Sequence, residues 1–262
     1  MWLIPPKKML LAIDLGNTNT VFGVYDGERL VMHWRLSTQK DRTVDEFGIL
    51  LRNLFALEKI DVQKIRKIIV ASVVPPLDPV LNEMAVSYFS AKPIFVTHEN
   101  AGIPVLYDDP REVGADRIVN AVAAVRKYGK PAIVVDFGTA TTFDVITSAG
   151  EYQGGLIAPG IVISAEALYE HAAKLPRIEI QKPARLVGTS AVSSMQSGLF
   201  FGYVALVDGI ISRLKHELGP STVIGTGGQA RLISQETKLI ETVDDNLTLD
   251  GLQLVASRLF RR

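Results

Sequence analysis

The chain has 262 residues, no cysteine, and equal numbers of acidic and basic side chains, 28 of each. These counts exclude a disulfide framework, a cysteine-ligated metal and a thiol nucleophile, and the zero formal charge leaves no electrostatic footprint for nucleic acid or an anionic membrane. With 47% hydrophobic and 21% charged residues, there is apolar mass for a large core in one or two domains, and a reducing cytoplasm is the simplest compartment.

Residues 1–8 read as a short tail, and Met9 would also serve as a start. A strand is expected over Met9–Leu15 and a second over 20–25, with Asp26-Gly27 as a hairpin turn. A third strand, 28–36, alternates Leu30, Met32, Trp34 and Leu36 onto one face. Thr43 and Glu46 form a capping box, and Val44, Phe47, Leu50, Leu51, Leu54 and Leu57 follow at helical spacing. A strand over 67–73, a helix near 77–89 and a strand near 94–97 complete the order βββαβα(β). That order suits a mixed sheet with helices on its faces.

A loop over 99–114, rich in Gly, Pro and Asp, leads to a helix over Ala115–Tyr128 that Gly129-Lys130-Pro131 stops. The second half then repeats the scheme. Strands are expected over Ala132–Phe137, 141–147 and 152–157, and helices over 161–174 and Ala191–Leu218. A strand over 222–225 runs into Thr226-Gly227-Gly228 and a helix from Gln229, and a last helix spans 248–260. The first domain is therefore drawn over 9–117 and the second over 118–262. No signal peptide fits, because Asp14 cuts the first apolar run. The uncharged run 186–207 is long enough to span a bilayer but holds too many Ser and Gly residues. It reads as a buried or subunit-contact helix.

The stretch Ile13-Asp14-Leu15-Gly16-Asn17-Thr18-Asn19-Thr20 has a near-copy, Val135-Asp136-Phe137-Gly138-Thr139-Ala140-Thr141-Thr142, about half a chain later. Each is a strand, a Gly-containing turn and a returning strand. The pair reads as an internal duplication in which each half offers an acidic, hydroxyl-rich hairpin to a shared cleft. Such parts suit a nucleoside triphosphate: Asp supplies hard oxygen to its metal, and Gly lets backbone N–H groups approach phosphate.

Asp116 lies in Gly114-Ala115-Asp116-Arg117, where a loop enters a helix. It either complements the helix N-terminus or acts as a general base, with Arg117 holding an anionic substrate and lowering the Asp116 pKa. Thr226-Gly227-Gly228 is either an ordinary strand-to-helix turn or a close approach to a planar ligand such as adenine. The four histidines show no ligand spacing. Ser193, Ser194 and Ser197 lack a nearby His–Asp partner. Neither a P-loop nor a dinucleotide fingerprint is present, and no protein-kinase signature appears.

Taken in order, Asp14 to Thr20, Gly114 to Arg117, Asp136 to Thr142 and Gly225-Thr226-Gly227-Gly228 resemble type III pantothenate kinase, as does the stretch from Ser193 to Gly198. The resemblance covers nearly all of the chain from Met9 on. It implies an α/β fold of two duplicated ribonuclease-H-like domains around a nucleotide cleft, in the superfamily of acetate and sugar kinases, Hsp70 and actin. The implied reaction is ATP-dependent phosphorylation of pantothenate to 4′-phosphopantothenate, the first step towards coenzyme A. ATP would be bound by Asp14, Leu15, Gly16, Asn17, Thr18, Asn19, Thr20, Val21, Gly138, Thr139, Gly225, Gly227 and Gly228. Asp116 would be the base, and Tyr107, Gly114, Ala115, Arg117 and Ala191 would line the pantothenate pocket. Asp136 would hold a monovalent cation, potassium or ammonium, and Asp14 would meet the Mg²⁺ that travels with ATP.

The family is a homodimer with the pantothenate pocket at the subunit contact. One departure concerns that pocket. Where the family's pattern carries Asn-Thr, this chain has Ser190-Ala191. Ala191 has no side-chain donor, which leaves Thr189, Ser190 or the partner subunit to supply one. Other expectations are another small-molecule kinase or phosphohydrolase on this fold, or a nucleotide-binding regulatory accessory protein. Intact Asp14, Asp116 and Asp136 argue for an enzyme.

Overall fold

The computed structural model describes residues 8–260. All of the expected tail except Lys8 therefore lies outside the described residues. The described chain forms two compact units. The first takes the residues up to Ile103, Asp109–Ala123 and those from Thr248 on, and the second takes Pro104–Asp108 and Ala124–Leu247.

The first unit opens with β1 (Met9–Leu15), β2 (Asn19–Asp26) and β3 (Arg29–Ser37), then α1 (Val44–Leu57), β4 (Ile65–Ser72), α2 (Asp78–Phe89) and β5 (Pro93–Phe95). Its sheet runs β3-β2-β1-β4-β5, with β1 antiparallel to β2 and parallel to β4. The capping box read from the sequence starts α1: Glu46 Oε2 accepts from Thr43 N at 2.7 Å, and Thr43 Oγ1 accepts from Glu46 N at 3.4 Å. Such a cap is worth about 1 kcal/mol. One sheet face, with Leu11, Ile13, Leu15 and Phe22, buries Phe47, Leu51 and Phe55 of α1 and Leu81, Met84 and Phe89 of α2. The Phe55 ring packs 5.3 Å from Trp34 and 5.7 Å from Phe89, centroid to centroid.

The helix α3 (Ala115–Tyr128) starts in the first unit and ends in the second. Its last turn is tied there by Lys127 Nζ and Tyr128 OH, which donate to Asp244 Oδ2 at 2.5 and 2.8 Å. The second unit continues with β6 (Ala132–Phe137), β7 (Ala140–Ile146), β8 (Tyr152–Pro159), α4 (Ile161–His171), α5 (Ala191–Leu218), β9 (Thr222–Gly227), α6 (Ala230–Ile233) and β10 (Thr242–Val243); α7 (Leu247–Leu259) closes the chain. Its sheet is β10-β9-β6-β7-β8. Here β6 is antiparallel to β7 and parallel to β9. This is the plan of the first sheet, so the duplication seen in the two hairpins extends to the whole order of strands. Phe200, Tyr203, Val207 and Ile211 of α5 pack on Ile133, Val135 and Val223. Among the described residues α5 alone is long and apolar enough to cross a membrane, but these side chains are committed to the core of the second unit.

The expected boundary, between residues 117 and 118, lies inside α3; the units part six residues further along the same helix, after Ala123, and nearly all of α7 belongs to the first unit. Contacts explain this. Tyr25 OH on β2 donates to Asp250 Oδ1 at 2.8 Å, and Thr248 Oγ1 donates to Asn120 Oδ1 at 2.8 Å. Gly251 presses on the backbone of Val119, so closely that a Cβ there would overlap it. Smaller differences follow from pairing. The strand β9 continues to Gly227 because Gly227 pairs with Phe137, α4 ends at His171, and α6 is a single turn.

Candidate active site

In the first unit the hairpin between β1 and β2 carries the first acidic motif. Asp14 ends β1 half-buried, opposite Val21. Gly16 N donates to Asn19 O at 3.0 Å, and a Cβ on Gly16 would lie 2.9 Å from that oxygen. The turn therefore requires glycine. Asn17 and Thr18 are exposed at its tip, whereas Leu15, Thr20 and Val21 are buried supports. Thr38, just past β3, locks the loop: its Oγ1 donates to Gly16 O at 2.7 Å and lies 2.8 Å from Thr20 Oγ1, and its N–H donates to Thr18 O at 2.9 Å. The sequence reading missed Thr38, whose only signal was a Ser-Thr pair ending a strand.

The second motif enters beside it. Val73 N donates to Leu15 O at 3.0 Å, and the Val73 side chain lies 3.2 Å from where a Cβ on Gly114 would be. The start of α3 is thus set against the ends of β1 and β4. Gly114 acts as the cap residue, its carbonyl accepting from Ile118 N at 3.2 Å. It has no side chain with which to cap, and the space is filled by the Asp116 carboxylate, whose Oδ1 accepts from Arg117 N at 2.8 Å. The carboxylate thus complements the N-terminus of α3. Arg117 lowers the Asp116 pKa as expected, through its N–H and its guanidinium, but burial outweighs both and pushes the carboxyl above the ordinary carboxylate range. An acid so tuned is a better proton acceptor when ionised. Arg117 is itself buried.

In the second unit Asp136 ends β6 half-buried, opposite Thr142 of β7 and level with Thr226 of β9. Gly138 and Thr139 are exposed at the turn, where Gly138 N donates to Ala140 O at 3.0 Å. Gly160, the cap residue of α4, donates to Thr139 O at 3.1 Å, and a Cβ there would collide with the Thr139 carbonyl. Gly227, at φ +88°, makes room for Asp136: a Cβ would lie 2.5 Å from its Oδ1. Gly228 is open to solvent, while Gly225 is buried inside β9 with Ile240 3.2 Å from where its Cβ would be. Of the three glycines, only Gly227 and Gly228 border the turn.

Tyr107 lies half-buried in the second unit, its ring 3.5 Å from where a Cβ on Gly154 would be. Ala191 is the exposed first residue of α5. Ser190 caps that helix: its Oγ accepts from Ser193 N at 3.2 Å, and Ser193 Oγ accepts from Thr189 N and Ser190 N, both at 3.0 Å. Among the described residues no three His, Asp or Glu side chains gather as a metal cage.

Comparison with known proteins agrees with these features. The family model described as type III pantothenate kinase matches residues 10–213. The type III pantothenate kinase of Koribacter versatilis (strain Ellin345) is 53% identical, over 95% of this chain and 96% of its own. That of Syntrophus aciditrophicus (strain SB) is 54% identical, over 95% and 99%. Among solved structures, ethanolamine utilization protein EutJ from Carboxydothermus hydrogenoformans superposes with a TM-score of 0.61 at 15% identity, over 97% of this chain and 92% of that one. The activator of the 2-hydroxyisocaproyl-CoA dehydratase from Clostridium difficile, with bound ADPNP, gives 0.56 at 13%, over 97% and 94%. The fold is a pair of ribonuclease-H-like domains, and the chain belongs to the type III pantothenate kinase family.

Proposed function

We propose that the chain carries out its family's reaction with Asp116 as the general base. The reaction is ATP-dependent phosphorylation of pantothenate to 4′-phosphopantothenate, in coenzyme A biosynthesis. The observation that carries the assignment is the half-buried Asp116 carboxyl, raised in pKa and seated over Gly114. In the step itself the pantothenate hydroxyl oxygen bonds to the γ-phosphorus of ATP, its proton passes to Asp116, and ADP leaves. Such transfer is mainly positioning and charge neutralisation. Arg117 pairs with the pantothenate carboxylate, and Tyr107, Gly114 and Ala115 line the same pocket. Thr189 stands in for the hydroxyl that Ala191 lacks, because Ser190 is engaged in capping α5.

The loops 14–21 and 138–139, with Gly227 and Gly228, bind ATP, while Leu15, Thr20, Val21 and Gly225 act from beneath. ATP comes with a divalent metal, which we assign as Mg²⁺ near Asp14. Asp136 holds a monovalent cation, potassium or ammonium. The half-buried Asp136 carboxylate, with Thr142 and Thr226 on the neighbouring strands, is a set of hard oxygens that suits such an ion. When bound, the cation neutralises phosphate charge. The compartment is the cytoplasm.

The protein acts as a homodimer through the second unit. Exposed apolar side chains gather there, with Ile157 65%, Leu186 66% and Val187 76% exposed, joined by Val162, Leu168, Tyr169 and Val192. On α5 the exposed residues Ser194, Gly198, Gly202 and Ala205 form a small-residue face against which another helix packs closely. Gly202→Glu is expected to fold, because nothing lies within 4 Å of a Cβ there and Glu favours helix over Gly. It should sediment as a monomer with a raised KM for pantothenate, and an unchanged dimer would place the contact elsewhere.

Function is tested by ADP release from ATP and Mg²⁺, with and without pantothenate, in potassium or in sodium. Release that needs both pantothenate and potassium is expected. Release without pantothenate would indicate a hydrolase or another acceptor.

A further inference from the structure

Asp144 is a fully buried carboxylate that the reaction above does not use. It lies on β7 two residues beyond Thr142, so the two share a sheet face, and Thr142 is the cross-strand neighbour of Asp136. Asp144 Oδ2 accepts from Thr142 Oγ1 at 3.0 Å, and Oδ1 accepts from Tyr152 OH at 2.9 Å. Tyr152, also fully buried, is in turn the anchor of the segment Pro104–Asp108. Its N–H donates to Pro104 O and its carbonyl accepts from Leu106 N, both at 2.8 Å. One residue further along that segment is Tyr107, laid over Gly154.

A buried charge is costly unless it is paired and hydrogen-bonded. The first unit shows that the fold does not need this one. Its matching hairpin pairs Asp14 with Val21, and the position two residues on is Gly23, which faces Leu249. The same strand pair therefore forms without a carboxylate. Among the described residues, the second unit has the segment Pro104–Asp108 held at the start of β8, next to its hairpin, and carries the acid where the first unit has Gly23.

We infer that Asp144 is a positioning residue that couples Asp136, through Thr142, to the Tyr107 segment, through Tyr152. Cation binding and pantothenate binding are thereby linked inside one unit. The inference rests on the roles proposed for Asp136 and Tyr107.

The test uses the full chain and three near-isosteric variants. For each, KM for pantothenate, KM for ATP and kcat are measured in potassium and in sodium, beside the potassium-dependent rise in Tm. Linked binding makes the parent's pantothenate KM lower in potassium than in sodium. Tyr152→Phe cuts one link and should raise the pantothenate KM in potassium about tenfold, the size expected of an outer-shell partner, so that it no longer differs from the value in sodium, while the potassium-dependent rise in Tm persists. Thr142→Val cuts the other link and should weaken that rise and likewise bring the pantothenate KM in potassium to the value in sodium. Asp144→Asn should act as Thr142→Val does, with KM for ATP unchanged. Variants that only lose Tm, with both responses intact, would make Asp144 purely structural and overturn the inference. Tyr107→Ala and Asp136→Ala are run beside them. If these two raise the pantothenate KM and abolish the potassium response while the three variants do neither, the inference alone fails. If Tyr107→Ala leaves KM unchanged, the site reading fails and the inference with it.

Discussion

Asp116→Asn is expected to fold and bind ATP normally while turning over pantothenate about a hundredfold more slowly, or worse. Asn keeps an oxygen to accept from Arg117 N and fits the space above Gly114, so the start of α3 is preserved. It cannot take up the hydroxyl proton. The pH dependence follows from the upward pKa shift that burial causes. As pH falls, kcat/KM of the parent enzyme should begin to decline at a pH above the ordinary carboxylate range, and this limb should vanish in the variant. The stability sign is opposite to that of a salt-bridged acid. A carboxyl whose folded pKa lies above its unfolded value contributes stability below the unfolded pKa and loses it as pH rises through the folded pKa. At neutral pH the parent therefore bears a buried charge that Asn lacks. The variant should melt no lower than the parent there, and its relative standing should fall in acid. Steady-state kinetics, nucleotide calorimetry and melting across pH check all three, and an equally active variant would remove the base assignment.

Asp136→Ala is expected to abolish the response to potassium, giving equal rates in potassium and sodium. Asp136 is the half-buried carboxylate near the end of β6, packed close against Gly227. Ala removes the one charged ligand from a position whose neighbours, Thr142 and Thr226, offer only neutral oxygens. A variant still activated by potassium would place the cation elsewhere.

The hairpins were legible because glycine, aspartate and threonine leave a local signature wherever a tight turn joins two paired strands. Gly16, Gly138 and the strands around them lie where the motif put them. The capping box of α1 and the order βββαβαβ were legible for the same reason, since each depends on near neighbours in sequence. What escaped depends on distant ones. Thr38 locks the first loop through bonds to Gly16 and Thr20 that no local pattern announces. The direction of the Asp116 shift was misjudged because Arg117 is visible in the sequence and burial is not. The helical pattern of α7 shows that it has an apolar face, but its partner is known only from Gly23, Tyr25 and Val119 lying against it. The length of β9 was set by Phe137, some ninety residues earlier in the chain.

The return of α7 to the first unit bears on how the protein emerges from the ribosome. Folding domains generally close in the order in which they are made. Here the unit begun first waits for the last helix, because Leu249, Asp250 and Gly251 fill its unused sheet face and the flank of α3. The second unit is interrupted only by Asp109–Ala123 and is fully synthesised once Leu247 has emerged. The unit whose sheet comes first is thus the later one to be completed, and until α7 emerges it exposes the apolar groove that α7 will occupy. Nascent chains stalled before residue 248 should be the form most in need of a chaperone.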